Sequence, residues 1–150
     1  MTPFQPKDPY DWHGLLGLIK RAFAGMEGRI DPPSSFHRLT EQDLASFRGE
    51  VWVIGTPPIA CVLLTLKPDA LYLGKLSVDP NHQGKGHARA LIALAADRAR
   101  GLGLPALELQ SRVELVENHA MFFAMGFQQT GTTTHDGFDR ATSLVFTKRL

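Results

Sequence analysis

One stretch of this chain constrains its fold more than any other: an apolar strand pattern that runs into a glycine-rich turn and then into an amphipathic helix pattern. The strand pattern covers residues 71–78, and the turn contains Gly84, Lys85 and Gly86. Free backbone N–H groups, the positive end of a helix dipole and a cation meet at such a turn, which favours a bound phosphate. A glycine turn with no ligand is the structural alternative. Strand, helix and strand around residues 71–110 predict a parallel crossover and an α/β fold.

The remaining periodicity predicts helices and strands arranged around one core. Helices are predicted at about 11–26, 40–48, 88–102 and 115–125, and strands at 51–54, 59–67, 71–78, 106–111, 127–134 and 142–148. At most a short strand surrounds Phe4. Short turns between the early strands favour antiparallel pairing. At 150 residues, we expect the whole chain, residues 1–150, to form a single domain.

Charge and composition exclude several classes of protein. The formal net charge of +1 argues against a strongly basic nucleic-acid binder. The single cysteine, Cys61, allows no internal disulfide, and its apolar neighbours predict a buried strand thiol. No secretory signal and no apolar run of about 18 residues is present, so we expect a cytoplasmic protein without a membrane partner. The histidines show no spacing typical of a metal site, and no metal is expected.

Two motifs carry a resemblance to a known family. The pattern Gln83-x-x-Gly86-x-Ala88 resembles the Q/R-x-x-G-x-G/A signature of the GNAT superfamily, the acyl-CoA-dependent N-acyltransferases. The segment 117–127, which ends in Gly-Phe, is similar to the late helix of that family and its exit into a strand. A dinucleotide fingerprint would need a third glycine where Arg89 stands, and a P-loop would need Ser or Thr after Gly-Lys.

The resemblance implies the fold, the acyl donor and a set of contact residues. The fold would be a mixed, mostly antiparallel sheet of six to seven strands, flanked by about four helices, with splayed central parallel strands. Acetyl-CoA would be the acyl donor and an amine of a small molecule or peptide the acceptor, and a homodimer is possible because many relatives pair. The residues implied to hold the donor are Leu76, Val78, Gln83, Gly84, Lys85, Gly86, His87, Ala88, Asn118 and Phe122.

The chain departs from the family at the two positions that usually move protons. Many members carry a tyrosine, thought to protonate the departing thiolate, where this chain has Phe122. Water, Ser111 or His119 are the open substitutes. Many members also carry a glutamate base on the strand before the loop, and residues 74–77 hold no carboxylate. The candidate bases are Glu108, Glu114 and His135, and Glu108 alternates with two leucines that face the other side of its strand.

Two polar segments are candidates for binding the acceptor. The proline-rich segment 29–35 offers Arg29, Asp31 and Ser34, and the segment 135–143 offers His135, Asp139 and Arg140. Either aspartate could bind an amine and either arginine a carboxylate, which would suit a small polar or amino-acid-like amine. The alternative is that Arg29 and Asp31 pair only to fix their turn, and that Asp139 and Arg140 merely flank the other turn.

Three functions are compatible with the chain. The first is direct acetyl transfer from acetyl-CoA to a primary amine, with an oxyanion stabilised by strand N–H groups around residues 76–78. The second is a CoA-binding sensor or interaction module without chemistry, which the missing tyrosine and glutamate favour. The third, a nucleotide-binding domain unrelated to CoA, conflicts with both incomplete phosphate fingerprints.

Overall fold

One six-stranded sheet organises the chain, which a computed structural model describes over residues 1–150. The strands are β1 (Glu50–Ile54), β2 (Ala60–Leu66), β3 (Leu71–Val78), β4 (Ala106–Arg112), β5 (Gln128–Thr133) and β6 (Ser143–Arg149). Their spatial order is β1-β2-β3-β4-β6-β5. Every neighbouring pair is antiparallel except β3 and β4, which are parallel. The predicted fold class, a mixed and mostly antiparallel sheet with central parallel strands, is confirmed.

Four helices flank the sheet, as predicted. They are α1 (Trp12–Phe23), α2 (Glu41–Ala45), α3 (His87–Gly101) and α4 (Val116–Ala124), with short 3-10 turns at Ala24–Met26, Ser35–Arg38 and Pro80–His82. The carboxylate of Asp11 caps α1 by accepting the N–H of Gly14 at 2.9 Å. Thr40 and Asp43 form a reciprocal capping box at α2. Both caps satisfy backbone donors that would otherwise lack partners.

The sheet buries apolar residues on both of its faces. On one face, α3 contributes Leu91, Ile92 and Ala95 to the larger cluster. On the other face, Leu15 and Ile19 of α1 join a smaller cluster. These residues keep a helical spacing, whereas Met26 and Leu102, which the predicted helices included, lie past the ends of α1 and α3 and are not buried.

Two smaller expectations are met on the second face of the sheet. Cys61 is fully buried in β2, and burial raises the pKa of its thiol to about 12, as expected for an inert strand cysteine. Phe4 forms an isolated bridge with Val53, which extends the sheet by one short contact. No helix has both the length and the apolar character needed to cross a membrane.

The two parallel strands separate soon after they meet. β3 and β4 pair only at Leu71 with Leu107 and at Tyr72 with Glu108. Further along, the register of β3 against β2 shifts by one residue between Gly74 and Ser77, which is a β-bulge. A bulge bends its strand and interrupts pairing. The bend leaves a gap between the two central strands, on the side where α3 begins.

Candidate active site

A groove of about 1050 Å³ occupies the gap between β3 and β4. One side of the groove is lined by the loop and helix that follow β3 and by α4. The other side is lined by α1, the segment before α2 and the β5–β6 hairpin. The groove therefore passes through the sheet from one face to the other, so that a ligand bound along the α3 side can meet a second molecule that enters from the α1 side.

The N-terminus of α3 forms an open cradle of backbone donors. Gly84 and Gly86 adopt left-handed conformations, with φ of 76° and 84°, which glycine adopts without the cost paid by other residues. The backbone N–H groups from Gln83 to Arg89 donate no hydrogen bond within the protein. No side chain caps this helix, in contrast to α1 and α2. Unpaired N–H groups at the positive end of a helix are suited to an anion.

The cradle also has the space that a pyrophosphate needs. A Cβ atom built on Gly84 or Gly86 would meet no other atom within 4 Å. Lys85 between them is exposed and forms no ion pair. Open space, free donors and an unpaired cation together fit the CoA pyrophosphate that the resemblance implies.

Nine of the ten residues predicted to hold the donor line the groove. They are Leu76, Val78, Gln83, Gly84, Gly86, His87, Ala88, Asn118 and Phe122. Lys85 lies on the same loop but does not line the groove. Leu76 lies in the bulge and has no partner in the register with β2. The structure thus brings these residues together along one path from the cradle to the gap.

Phe122, which stands in place of the tyrosine acid, and the two side chains considered as its substitutes lie in different surroundings. Phe122 is buried and packs against Phe127 and Phe146, with ring centroids 5.9 and 5.7 Å away. Ser111 lines the groove, and its buried Oγ forms no hydrogen bond. His119 lies outside the groove, where its Nε2–H donates to the carbonyl oxygen of Arg112 at 2.9 Å. Ser111 is therefore the protein group that could reach a ligand there.

Of the three candidate bases, only His135 lines the groove. Glu108 forms an ion pair with Lys67, and Glu114 accepts the backbone N–H of Asp31 at 3.2 Å. Burial and the nearby Arg112 guanidinium lower the pKa of His135 below its ordinary value of 6.5. His135 is therefore mostly neutral at pH 7, as a base must be.

Polar and charged contacts hold the segment 29–35 in place, and of its residues only 33–35 line the groove. Arg29 forms an ion pair with Glu117 at 2.7 Å, and Arg140 contacts Asp31 at 3.7 Å. Arg112 donates to the carbonyl oxygens of Pro32 and Pro33 at 2.7 and 3.2 Å. These contacts fasten the segment to α4, the β5–β6 hairpin and β4, and so shape one wall of the groove.

The acceptor residues predicted from the sequence therefore divide into two groups. Ser34 and His135 line the groove, whereas Arg29, Asp31, Asp139 and Arg140 do not. The pair between Arg29 and Asp31 that the structural alternative predicted is not formed, and Asp31 contacts Arg140 instead. Arg29 does not pair with Asp31, because Glu117 lies closer across the fold.

Four arginine and lysine residues of the groove were not among the predicted site residues: Arg38, Lys75, Arg89 and Arg112. Four consecutive residues of β4, 109–112, line the groove, so the alternation of the strand gives no signal for Arg112. Lys75 had no sequence signal either, because its place in the groove depends on the bulge in β3. Lys75 is the only non-glycine residue with a positive φ, 50°.

Comparisons with known proteins agree with this geometry. The model of the acetyltransferase (GNAT) family matches residues 12–127. No curated protein matches the chain in sequence. The structure is similar to an acetyltransferase from Streptococcus agalactiae, with a TM-score of 0.75, 18% identity and coverage of 99% of this chain and 97% of that one.

Two further solved structures share the fold at low identity. The ribosomal-protein-S18-alanine N-acetyltransferase from Escherichia coli matches with a TM-score of 0.70 and 20% identity, covering 99% of this chain and 92% of that one. A chain of the NatC complex bound to Gag peptide and CoA matches with a TM-score of 0.67 and 19% identity, covering 100% of this chain and 99% of that one. Because the family model spans most of this chain, the chain belongs to the GNAT acetyltransferase family and is an acyl-CoA-dependent N-acyltransferase.

Proposed function

We propose that this protein transfers an acetyl group from acetyl-CoA directly to a primary amine of a small molecule or peptide, and that residues 1–150 act as one domain in doing so. The observation that carries the proposal is the cradle of unpaired N–H groups from Gln83 to Arg89, placed beside the gap between β3 and β4. Solved relatives named for an alanine N-acetyltransferase and for a complex with a peptide and CoA support an amine acceptor of either size.

The cradle and the gap bind different parts of acetyl-CoA. The N–H groups around Gly84 and Gly86 bind the pyrophosphate, and the backbone at Leu76 and Val78 aligns the pantetheine arm along the free part of β3. Bound acetyl-CoA supplies the acetyl group as a thioester, whose C–S bond breaks as the amine nitrogen forms the new C–N bond. The bulge leaves Leu76 without a partner in β2, and its N–H is the donor proposed to stabilise the oxyanion.

His135 is the proposed base. Its Nδ1 contacts the Oγ1 of Thr142. The same Oγ1 accepts the backbone N–H of His135 and lies 3.4 Å from the carbonyl oxygen of Thr133. If Oγ1 donates to Thr133, it can accept from Nδ1–H, and this tautomer leaves the lone pair of Nε2 free. His135 can then take a proton from the incoming ammonium and pass it to water. After the attack, the second proton on the nitrogen passes to the departing thiolate, which leaves as the free thiol of CoA.

Ser111 is the proposed donor to the thiolate. Its hydroxyl is buried beside the groove with no partner in the protein, so a ligand atom in the groove would complete its hydrogen bonding. A thiolate is a fair leaving group, since thiols ionise near pH 8.5. The hydroxyl therefore needs to contribute only a hydrogen bond, and the phenyl ring of Phe122 can remain a packing group.

The test of this proposal is turnover. Purified protein is mixed with acetyl-CoA and a panel of primary amines and peptides, and the release of free CoA is followed with a thiol reagent while mass spectrometry identifies the N-acetylated product. We expect product from at least one amine class. Acetyl-CoA binding without turnover of any amine would contradict the proposal and would favour the CoA-binding module without chemistry.

A further inference from the structure

The α1 side of the groove collects basic side chains from four separate parts of the chain. Lys75 lies on β3, Arg112 on β4, Arg38 at the end of a 3-10 turn and His135 in the β5–β6 hairpin. We call this region, defined by these four residues, the acceptor end. His135 is mostly neutral at pH 7, but the other three members are cations in a chain whose net charge is only +1, so the acceptor end is a local excess of positive charge.

Lys75 is the central member of this group. Its backbone takes the strained φ of 50° at the bulge, a conformation that is uncommon outside glycine and that clusters at functional sites. Its ammonium donates to Ser35 Oγ at 2.9 Å and lies 5.5 Å from the centroid of the Phe23 ring. No carboxylate lies within ion-pair distance of it. Burial and the charge of Arg112 lower the pKa of Lys75.

The two arginines also lack a paired carboxylate. Arg112 is held by the carbonyl oxygens of Pro32 and Pro33, and Arg38 forms no hydrogen bond or ion pair. Two carboxyl groups, of Asp31 and Glu114, act on Arg112 through their charge. Neither lies within ion-pair distance of it: Asp31 contacts Arg140, and Glu114 accepts the N–H of Asp31 through one oxygen while its other oxygen is buried without a hydrogen-bond partner.

The groove contains little negative charge to offset these cations. Asp43 is the only carboxylate among the lining residues, and it accepts the N–H of Thr40 in the cap of α2. Like charges gathered in a partly desolvated site disfavour one another, and an anionic ligand relieves that repulsion. The same positive field favours the neutral form of an approaching amine, which is the form that attacks a thioester.

We infer that the acceptor is a small amine that also carries an anionic group, a carboxylate or a phosphate, and that the Lys75 ammonium binds this group with Arg38 and Arg112 beside it. The inference rests on the proposed acetyl transfer and narrows its acceptor. It replaces Arg29 and Arg140, which are tied to Glu117 and Asp31, as the residues that recognise the anion.

The test compares matched pairs of primary amines that differ in one anionic group, with CoA release as the readout. The pairs are glycine and glycinamide, γ-aminobutyrate and its amide, and phosphoethanolamine and ethanolamine, with putrescine as a cationic amine. We expect kcat/KM of an anionic member to exceed that of its neutral partner by about 10- to 100-fold, the range for a hydrogen bond to a charged group. The carboxylate and phosphate pairs distinguish the two kinds of anion.

Variants then assign the preference to Lys75. Lys75→Met keeps most of the length of the side chain without its charge. In each pair of amines it should bring the ratio of kcat/KM, anionic member over neutral member, close to one. Lys75→Arg should restore most of the ratio. Lys20→Met removes an exposed lysine of α1 outside the groove and should leave the ratio unchanged. Arg38→Gln, at an exposed position where folding is not at risk, should lower the ratio in part.

Each other result has a distinct meaning. Equal or faster turnover of neutral amines or putrescine by the wild-type protein would overturn the inference while supporting acetyl transfer. A preference for anionic amines that persists in a folded Lys75→Met variant would overturn the role of Lys75. Acetyl-CoA binding with no acetylation of any amine would contradict the proposed function itself, and the inference would fall with it.

Discussion

At the residue scale, two glycines decide whether the start of α3 can hold a phosphate. Gly84 and Gly86 both have positive φ, and both would direct a Cβ into open space. A side chain at Gly86 would therefore project into the cradle rather than into the protein. A substitution at Gly86 can weaken ligand binding and can also strain the backbone. Gly103 separates the two effects, because it has a similar φ of 74° and similar open space but lies at the far end of α3.

Gly86→Glu is expected to abolish acetyl-CoA binding, because the side chain fills the cradle and its carboxylate repels the pyrophosphate. Isothermal titration calorimetry measures the affinity. Gly103→Glu is the control for the strain of a positive φ, which is about 1–2 kcal/mol for a non-glycine residue, and should bind like the wild-type protein. Undiminished affinity in a folded Gly86→Glu variant would contradict the assignment of the cradle.

The lowered pKa of His135 predicts how the rate depends on pH. Since its pKa lies below 6.5, the neutral form required of a base is present at neutral pH and is lost as the pH falls through that lowered pKa. The value of kcat/KM should therefore rise with pH below 6.5 and level off at neutral pH.

His135→Asn, whose shorter amide can keep the contact with Thr142, should lower kcat by about 10²- to 10⁴-fold and remove this inflection. His13→Asn, at an exposed histidine paired with Glu41, is the control. An unchanged pH profile in the His135 variant would show that another group or water takes the proton.

At the element scale, the bulge in β3 sets up the groove, and ion pairs fasten the surrounding elements. Glu50 of β1 illustrates this, since its carboxylate accepts from Arg98 of α3 at 2.9 Å and from Trp52 Nε1 at 2.8 Å. These bonds lower the pKa of Glu50 below its ordinary 4.5. A lowered pKa means that the unfolded chain binds the proton more tightly, so the pair stabilises the fold above pH 4.5 and ceases to do so as the pH falls through the lowered pKa.

Glu50→Gln should lower the free energy of unfolding by about 1 kcal/mol at pH 7, the upper range for partly exposed pairs. For a chain of this size that corresponds to a fall in Tm of about 2–4 °C. The difference from the wild-type protein should shrink as the pH is lowered below 4.5. Thermal unfolding at several pH values measures it, and a difference that stays constant with pH would assign the loss to packing instead.

At the scale of the whole molecule, the sheet is covered on both faces and open only where its central strands part. A ligand that binds there contacts β3, the start of α3 and α4 together, so its binding energy should add to the stability of the folded chain. A free ligand at 100 times its Kd contributes about 2.7 kcal/mol.

Acetyl-CoA at that concentration should therefore raise the Tm by about 5–10 °C. ATP and NAD at equal concentration are the controls and should raise it much less. Differential scanning fluorimetry is sufficient for the comparison. An equal rise with ATP alone would revive the nucleotide-binding hypothesis.

Much of this architecture could be read from local sequence. The periodicity of α1 and α3, the alternation of β4 and the glycine turn after β3 are local signals, and each element appears within a few residues of its predicted bounds. The burial of Cys61 was likewise predicted from its apolar neighbours in the chain.

The acceptor end could not be read in the same way. Lys75, Arg38 and Arg112 are separated in the chain and meet only because β3 bulges and parts from β4. Nor did local sequence show that Arg29 would pair with Glu117, 88 residues away, instead of Asp31.

The sequence therefore predicts the elements, the glycine turn at the start of α3 and the family to which the chain belongs, since these depend on hydrogen bonds and spacing within a few residues. The tertiary structure alone decided which charges are paired and which remain free to meet a ligand. The physical reason is that charge pairing depends on distances across the fold, and local patterns carry no information about those distances.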